Sequence, residues 1–268
     1  MANAGFCYHS SMDSILLAAF FALGAIVASF IGVLVARLHT GQSFLFGRSR
    51  CDACDALLSP LELVPMLSYA VRRGRAHCCG ARHSPCSPGT EFLLGVLFAL
   101  AYAEIGLTLA LPFMLFSLAL LLALVLYDLA HQILPSILLV IFVFASAVTG
   151  FLLAPSVDAF YASAFTAVLI GGSLALVHIF SGGRAMGFAD APFAFGLSLL
   201  SGPAALPGFV FSFWIGAVIG IIILLKRPAG SRMGVEVPFA PFLAAGFLLA
   251  YLTQWNPFAY TMILTTLH

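Results

Sequence analysis

Charge is what this sequence has least of. Asp, Glu, Lys and Arg make up 8% of its 268 residues against 62% hydrophobic ones, and the mean hydropathy is +1.11. A chain of this size cannot hide so much apolar surface in a water-soluble core, which excludes a soluble globular protein and leaves a polytopic membrane protein in a lipid bilayer. There is no basic tract, and a formal net charge of +1 offers nothing to hold nucleic acid. Polar residues are almost absent from the middle of the apolar runs. Glu104 is the exception, and it falls near the end of one. A transporter that carries protons or cations would need acids at mid-depth, so that reading stands second. No basic region precedes the first apolar run, which follows Asp13, and no small-residue cleavage pattern stands out. That run is expected as a retained span and not as a signal peptide.

What is there is a series of apolar runs parted by short polar breaks. Residues 15–36 carry no charge, enough for one crossing at roughly 20 residues per span, and Arg37 ends them. Residues 38–90 turn polar and hold five of the six cysteines. Residues 91–127 suit two short helices broken around 106–112. Pro135 suits the first turn of the next helix, which is expected to run to about residue 154. A fifth span covers about 159–180, and the polar loop 181–190 leads into a short sixth. Turn signals at Ser201-Gly-Pro and Pro207-Gly separate it from a seventh span ending at Lys226; the loop 227–236 precedes an eighth from near Pro238.

The pattern predicts an all-α integral membrane fold. About eight transmembrane helices are expected, with a small cytoplasmic Cys-rich insertion between helices 1 and 2. The divisions are 1–37 for the first helix, 38–90 for the Cys-rich domain and 91–268 for a seven-helix membrane domain. Cytoplasmic loops collect Lys and Arg. With both termini outside and eight crossings, all eleven basic residues fall on one side: Arg37, Arg48, Arg50, Arg72, Arg73, Arg75, Arg82, Arg184, Lys226, Arg227 and Arg232.

The same count brings two acids to that face. Asp128, in Leu126-Tyr-Asp-Leu-Ala-His-Gln-Ile-Leu-Pro, closes span three, and Asp190, in Gly187-Phe-Ala-Asp, opens span six. One acid at a membrane edge is usually a helix end meeting water. Two placed alike point to a site, because a carboxylate at the edge of lipid is costly. His131, one turn after Asp128, is read with His39 and His178 as interfacial. Glycines such as Gly171-Gly-Ser and Gly216-Ala-Val-Ile-Gly are expected to serve close helix packing.

Cys51-Asp-Ala-Cys54 has the spacing that lets two thiolates clasp one zinc. The second half of such a site is irregular. Cys79 best matches Cys54, with Cys78, His77 or Cys86 as the fourth ligand, and Cys51, Cys54, Cys79 and Cys78 form the candidate set. A segment of this size has too small a core to fold securely alone, so a structural zinc would serve as a staple. The alternative is a group of thiols packed near the membrane.

Three stretches in the first part of the chain then become informative together: Ser29-Phe-Ile-Gly-Val-Leu-Val-Ala-Arg-Leu, Arg48-Ser-Arg-Cys-Asp-Ala-Cys, and Pro65-Met-Leu-Ser-Tyr with Arg73-Gly-Arg. With Asp128, Leu134-Pro135, Gly187-Phe-Ala-Asp190 and Val237-Pro-Phe-Ala-Pro-Phe-Leu-Ala, the series resembles the type IV prepilin peptidases from about residue 20 to 250. The resemblance implies an intramembrane aspartic peptidase within 91–268. It would remove the leader of prepilins or pseudopilins at the cytoplasmic face of a bacterial inner membrane, with Asp128 and Asp190 as the catalytic pair. It further implies methylation of the new N-terminus from S-adenosylmethionine in many members. The sequence departs from the family pattern at Ala189, Pro192, Ser136, Gly32 and Ala76, where glycine, lysine, an acid, asparagine and cysteine are usual. A non-catalytic scaffold of a pilus or secretion assembly is the third reading. By their helix ends, Asp190 is expected as the base and Asp128 as the acid.

Overall fold

The structure, a computed structural model, describes residues 4–38, 54, 56, 78–80, 86–184, 186–226 and 237–256. Among them the elements are helical: α1 (Ala4–Leu38), α2 (Cys86–Ile105), α3 (Ala110–His131), α4 (Ser136–Leu153), α5 (Val157–Ser181), α6 (Asp190–Ser201), a 3₁₀ turn (Gly202–Ala204), α7 (Ala205–Lys226) and α8 (Ala240–Thr253). Six stretches are long and apolar enough to cross a membrane: Asp13–Leu38, Ser87–Ile105, Ala110–His131, Ser136–Leu153, Val157–Ser181 and Asp190–Lys226. The last joins α6, the 3₁₀ turn and α7, while α8 is a shorter apolar helix of 14 residues. The protein is an all-helical integral membrane protein. Most of the Cys-rich segment and the loop 227–236 lie outside the described residues.

Local chemistry explains the breaks. Gly106 at φ +66 ends α2 three residues before α3, a backbone conformation that L side chains rarely adopt. Pro112 sits inside the first turn of α3, where its missing N–H costs nothing. Pro135 is one residue further out than expected: it is the N-cap of α4, extended at ψ 120, and the helix starts at Ser136. Ser156 caps α5 by accepting the Ala159 N–H at 3.2 Å. Pro207-Gly208 makes no turn. It lies within the first turn of α7, and the chain bends only at Gly202–Ala204.

The chain falls into two compact units, Met1–Ala123 and Leu124–His268. In the first, α1 and α2 pack along one stripe each. Ala25, Ala28, Ile31 and Val35 of α1 are buried at helical spacing, as are Leu94, Phe98 and Ala101 of α2, while Leu23, Ile26 and Phe30 point away. The backbones nearly touch where Gly24 meets Gly95, since a Cβ on Gly24 would lie 2.6 Å from the Leu94 oxygen.

The second unit is built around α6, which packs against α4, α5, α7 and α8. Nine of its twelve residues are buried. At 1.5 Å per residue it is only about 18 Å long, so α6 alone is shorter than the hydrocarbon core. Helix α4 offers Leu139, Phe142, Ala145, Ser146 and Thr149 to the core, and α5 offers Ala167, Ile170, Gly171 and Leu174. Phe142 packs on Phe193 with ring centroids 5.5 Å apart. Helices α7 and α8 cross where Gly208 faces Phe247 and Gly246 faces Ser212. Ser212 Oγ lies 2.8 Å from the Gly208 carbonyl of its own helix and 3.2 Å from the Leu243 carbonyl of α8, so its one hydrogen is shared at the crossing. Gly171 serves packing as expected, against Ala191 and Phe195, whereas a Cβ added at Gly172 or Gly220 would meet no other part of the described residues within 4 Å.

Candidate active site

Asp128 lies in the last turn of α3 and is 6% exposed. Its backbone carbonyl accepts the Gln132 N–H at 2.8 Å, and Gln132 at φ 55 ends the helix in the left-handed region. Its carboxylate has a partner far along the chain: Oδ2 accepts the backbone N–H of Ala240 at 3.2 Å. Ala240 is the first residue of α8, and the next is Pro241, which has no N–H. The unpaired donor at that helix end is thus satisfied by an acid from another helix. The α7/α8 crossing at Ser212 and Leu243, one turn later, sets where this donor stands.

Asp190 is the first residue of α6 and is partly exposed. The turn 187–190 forms through Asp190 N–H donating to Gly187 O at 3.3 Å and Ala191 N–H donating to Phe188 O at 3.1 Å. The Gly187 backbone also hydrogen-bonds the Asp190 carboxyl, and the Asp128 carboxylate lies within electrostatic range of it. Residues 62 positions apart in sequence are therefore brought together in one unit. His131 stacks at a tilt on Tyr127, centroids 4.6 Å apart. His178 contacts the loop before Asp190.

The N–H of Ala240 is the group that sequence reading missed. A signal for it exists: in Pro238-Phe-Ala-Pro241 only Phe239 and Ala240, between two prolines, carry an N–H at the helix start. It also changes the electrostatic argument. Asp128 faces the negative end of its own helix but the positive end of α8, so helix ends no longer separate the two acids into base and acid.

In the first unit, the sulfurs of Cys54, Cys78 and Cys79 lie within 4.8 Å of one another and are exposed. Cys54 Sγ contacts Cys78 Sγ at 3.0 Å, and Cys78 and Cys79 are 3.9 Å apart. Zn–S bonds of about 2.3 Å put tetrahedral sulfurs about 3.8 Å apart; Cys78 and Cys79 stand near that distance and Cys54 closer, and three gathered thiols are the donor type that zinc takes. Cys51 and His77 lie outside the described residues, as does the side chain of Cys86.

Comparison with known proteins decides the family. Residues 22–105 match the Bacterial Peptidase A24 N-terminal domain. Over 243 residues the chain is 32% identical to the prepilin leader peptidase/N-methyltransferase of Bacillus subtilis (strain 168), covering 88% of this chain and 94% of that protein. The chain belongs to the prepilin leader peptidase/N-methyltransferase family. It is 28% identical to the Dickeya chrysanthemi member over 285 residues, covering 93% of this chain and 98% of the relative. To the Pseudomonas aeruginosa member it is 27% identical over 256 residues, covering 86% and 88%. No solved structure matches it.

Two departures from the family pattern can now be weighed against geometry. Ala189 stands at φ −65, ψ −21, a conformation open to any residue, so no glycine is required there. Pro192 falls in the first turn of α6, where the helix has no use for its N–H; the first α-type bond is Phe193 N–H to Ala189 O at 3.2 Å. Both residues are compatible with the backbone found there.

Proposed function

We propose that this enzyme is an intramembrane aspartic endopeptidase that removes the N-terminal leader of prepilins or pseudopilins at the cytoplasmic face of a bacterial inner membrane. What supports the reading is buried Asp128 at the end of α3 within electrostatic range of Asp190 at the start of α6, with the Ala240 N–H on the first carboxyl and the Gly187 backbone beside the second. A close carboxyl pair shares one proton and so offers a base and an acid together. The ionised member takes a proton from water as its oxygen attacks the scissile carbonyl carbon. The protonated member gives its proton to the carbonyl oxygen. Collapse of the tetrahedral intermediate breaks the C–N bond, with a proton passing to the leaving amine; the leader keeps the carboxyl group and the mature chain gains a free N-terminus. The two carboxyls act as one coupled unit.

The grouping of all eleven basic residues supports a cytoplasmic site, and eight crossings with both termini outside is the topology proposed. A zinc held by Cys54, Cys78 and Cys79, with Cys51 as fourth ligand, would staple the segment 38–90 and take no part in peptide cleavage. The relatives' names also include N-methyltransferase. Methylation from S-adenosylmethionine is kept as a second activity to measure, and no step of the cleavage passes through that donor.

The test is purified protein in detergent mixed with a prepilin, followed by mass spectrometry for loss of the leader, with and without S-adenosylmethionine. Leader loss by the parent and none by Asp128→Asn or Asp190→Asn is the expected result. Normal cleavage by either variant removes the aspartic mechanism.

A further inference from the structure

The loop that carries Asp190 is fastened at a second point, by a histidine that sequence reading leaves at the membrane interface. His178 is in the last turn of α5, and its ring Nδ1 lies 2.8 Å from the carbonyl oxygen of Met186. A carbonyl only accepts, so Nδ1 carries the hydrogen. The main chain closes around the same ring. Gly183 N–H donates to the His178 carbonyl at 2.9 Å, and Gly183 lies so near the imidazole that a Cβ there would stand 3.3 Å from it. The Phe188 ring meets the imidazole at an edge, centroids 5.5 Å apart. One side chain thus touches the beginning of the loop at Gly183 and its end at Met186 and Phe188. Ser181 Oγ donates to the His178 carbonyl at 3.2 Å and Arg184 Nε to the Ser181 carbonyl at 3.2 Å, both within the start of the loop.

The need for such a fastening follows from composition. Gly182 and Gly183 hold φ +60 and +77, and Gly187 adds a third glycine within six residues. Each brings backbone freedom that something must restrain if the residue after the loop is to stay in place. Helix α6 is packed on many sides, but Asp190 is its first residue and takes its direction from the turn 187–190.

We infer that His178 is a positioning residue, a latch whose Nδ1–H on the Met186 carbonyl fixes the loop 182–189 and so aims Asp190 at its partner acid. The inference rests on the aspartic-peptidase reading for its effect on rate, though the latch itself can be measured without substrate. His178 acts through the main chain and needs no contact with the reacting atoms.

The experiment uses the full chain in detergent and three variants, with two readouts: steady-state cleavage of a prepilin, and hydrogen–deuterium exchange of the loop compared with α4 as internal reference. His178→Ala is expected to lower kcat by about 10- to 100-fold with little change in KM, the loss that a misplacement of about 1 Å brings. Exchange across the loop should rise several-fold while α4 stays as in the parent. His178→Asn carries an amide nitrogen where Nδ1 stands and should restore most of the rate and the protection. His178→Gln carries it one bond farther out and should not. If the alanine variant does not fold, the Asn and Gln pair still decides. Parental kcat in His178→Ala, unchanged loop exchange, or equal behaviour of Asn and Gln would each overturn the latch. Should Asp128→Asn cleave normally, the aspartic reading fails on its own, and loop exchange alone then judges His178.

Discussion

Helices α1 and α2 touch along one stripe each, whereas α6 is enclosed by four neighbours, although all three are almost wholly apolar. In α1, Leu23, Ile26 and Phe30 face outward, while in α6 Phe193, Leu197, Leu199 and Leu200 are buried. Hydropathy cannot tell these groups apart, because lipid tails are as apolar as a leucine core. Close backbone approach occurs in both units, at Gly24 and Gly95 between α1 and α2 as well as around α6; what distinguishes α6 is that it meets such approach from more than one neighbour. A Cβ on Gly150 would stand 2.5 Å from the Leu199 oxygen, and one on Gly196 would stand 2.8 Å from the Phe142 ring. The lesson is that a short helix can still be central: α6, which begins at Asp190, is surrounded by four neighbours.

The comparison breaks hardest at the acids. Asp128→Asn and Asp190→Asn are expected to lower leader cleavage by about 10³-fold or more, and the double variant should be scarcely worse than either single, since members of a catalytic unit are not additive. Glu104→Gln, on the exposed side of α2, should leave the rate at the parental value. Kinetics on the four variants decide it, and a Glu104 effect equal to that of Asp128 would erase the contrast between the units.

Packing gives the next effect. Gly150→Ala pushes a methyl into the Leu199 carbonyl and should cost about 1–3 kcal/mol. Gly172→Ala meets nothing within 4 Å and should gain up to about 1 kcal/mol from helix propensity. Thermal unfolding in one detergent measures both; matching midpoints would show that close approach to α6 does not matter.

In the first unit, metal analysis should find about one zinc per chain, and Cys54→Ser or Cys78→Ser should lose it while cleavage stays within a few-fold of the parent. No zinc in the parent, with both variants as stable, favours the thiol alternative. The smallest change concerns Ser146, whose buried Oγ has no hydrogen-bond partner among the described residues. Ser146→Ala should be neutral or stabilising, within about 1 kcal/mol, because no bond is lost and an unpaired hydroxyl leaves the core. A clear loss of stability would mean that Ser146 has a partner in the membrane.

Much of the helical plan was legible because its breaks are local chemistry. Gly106 and the chain stop near Ala154 mark ends that the helices respect. Pro207-Gly208 misled for an equally local reason. Proline and glycine read as a turn, but in the first turn of a helix the proline N–H is not needed and the glycine faces Phe247. Gly172 and Gly220 look like packing glycines, but a Cβ added at either would meet no other part of the described residues within 4 Å, while Gly208 and Gly246, in less suggestive surroundings, carry the α7/α8 crossing.

By itself the sequence determined the class of protein, the helix ends and the two acids worth attention, since hydropathy, Gly and Pro act over a few residues and a carboxylate near lipid is costly wherever it falls. Tertiary structure alone decided which apolar faces meet protein, that Asp128 is held by the Ala240 N–H, and that His178 reaches Met186 across the loop. The first of these contacts spans 112 residues, and both use backbone groups, an N–H that every residue but proline carries and a carbonyl that every residue carries. Flanking prolines can mark where such a donor lies, but a backbone group names no partner in the sequence until the chain folds and brings the two together.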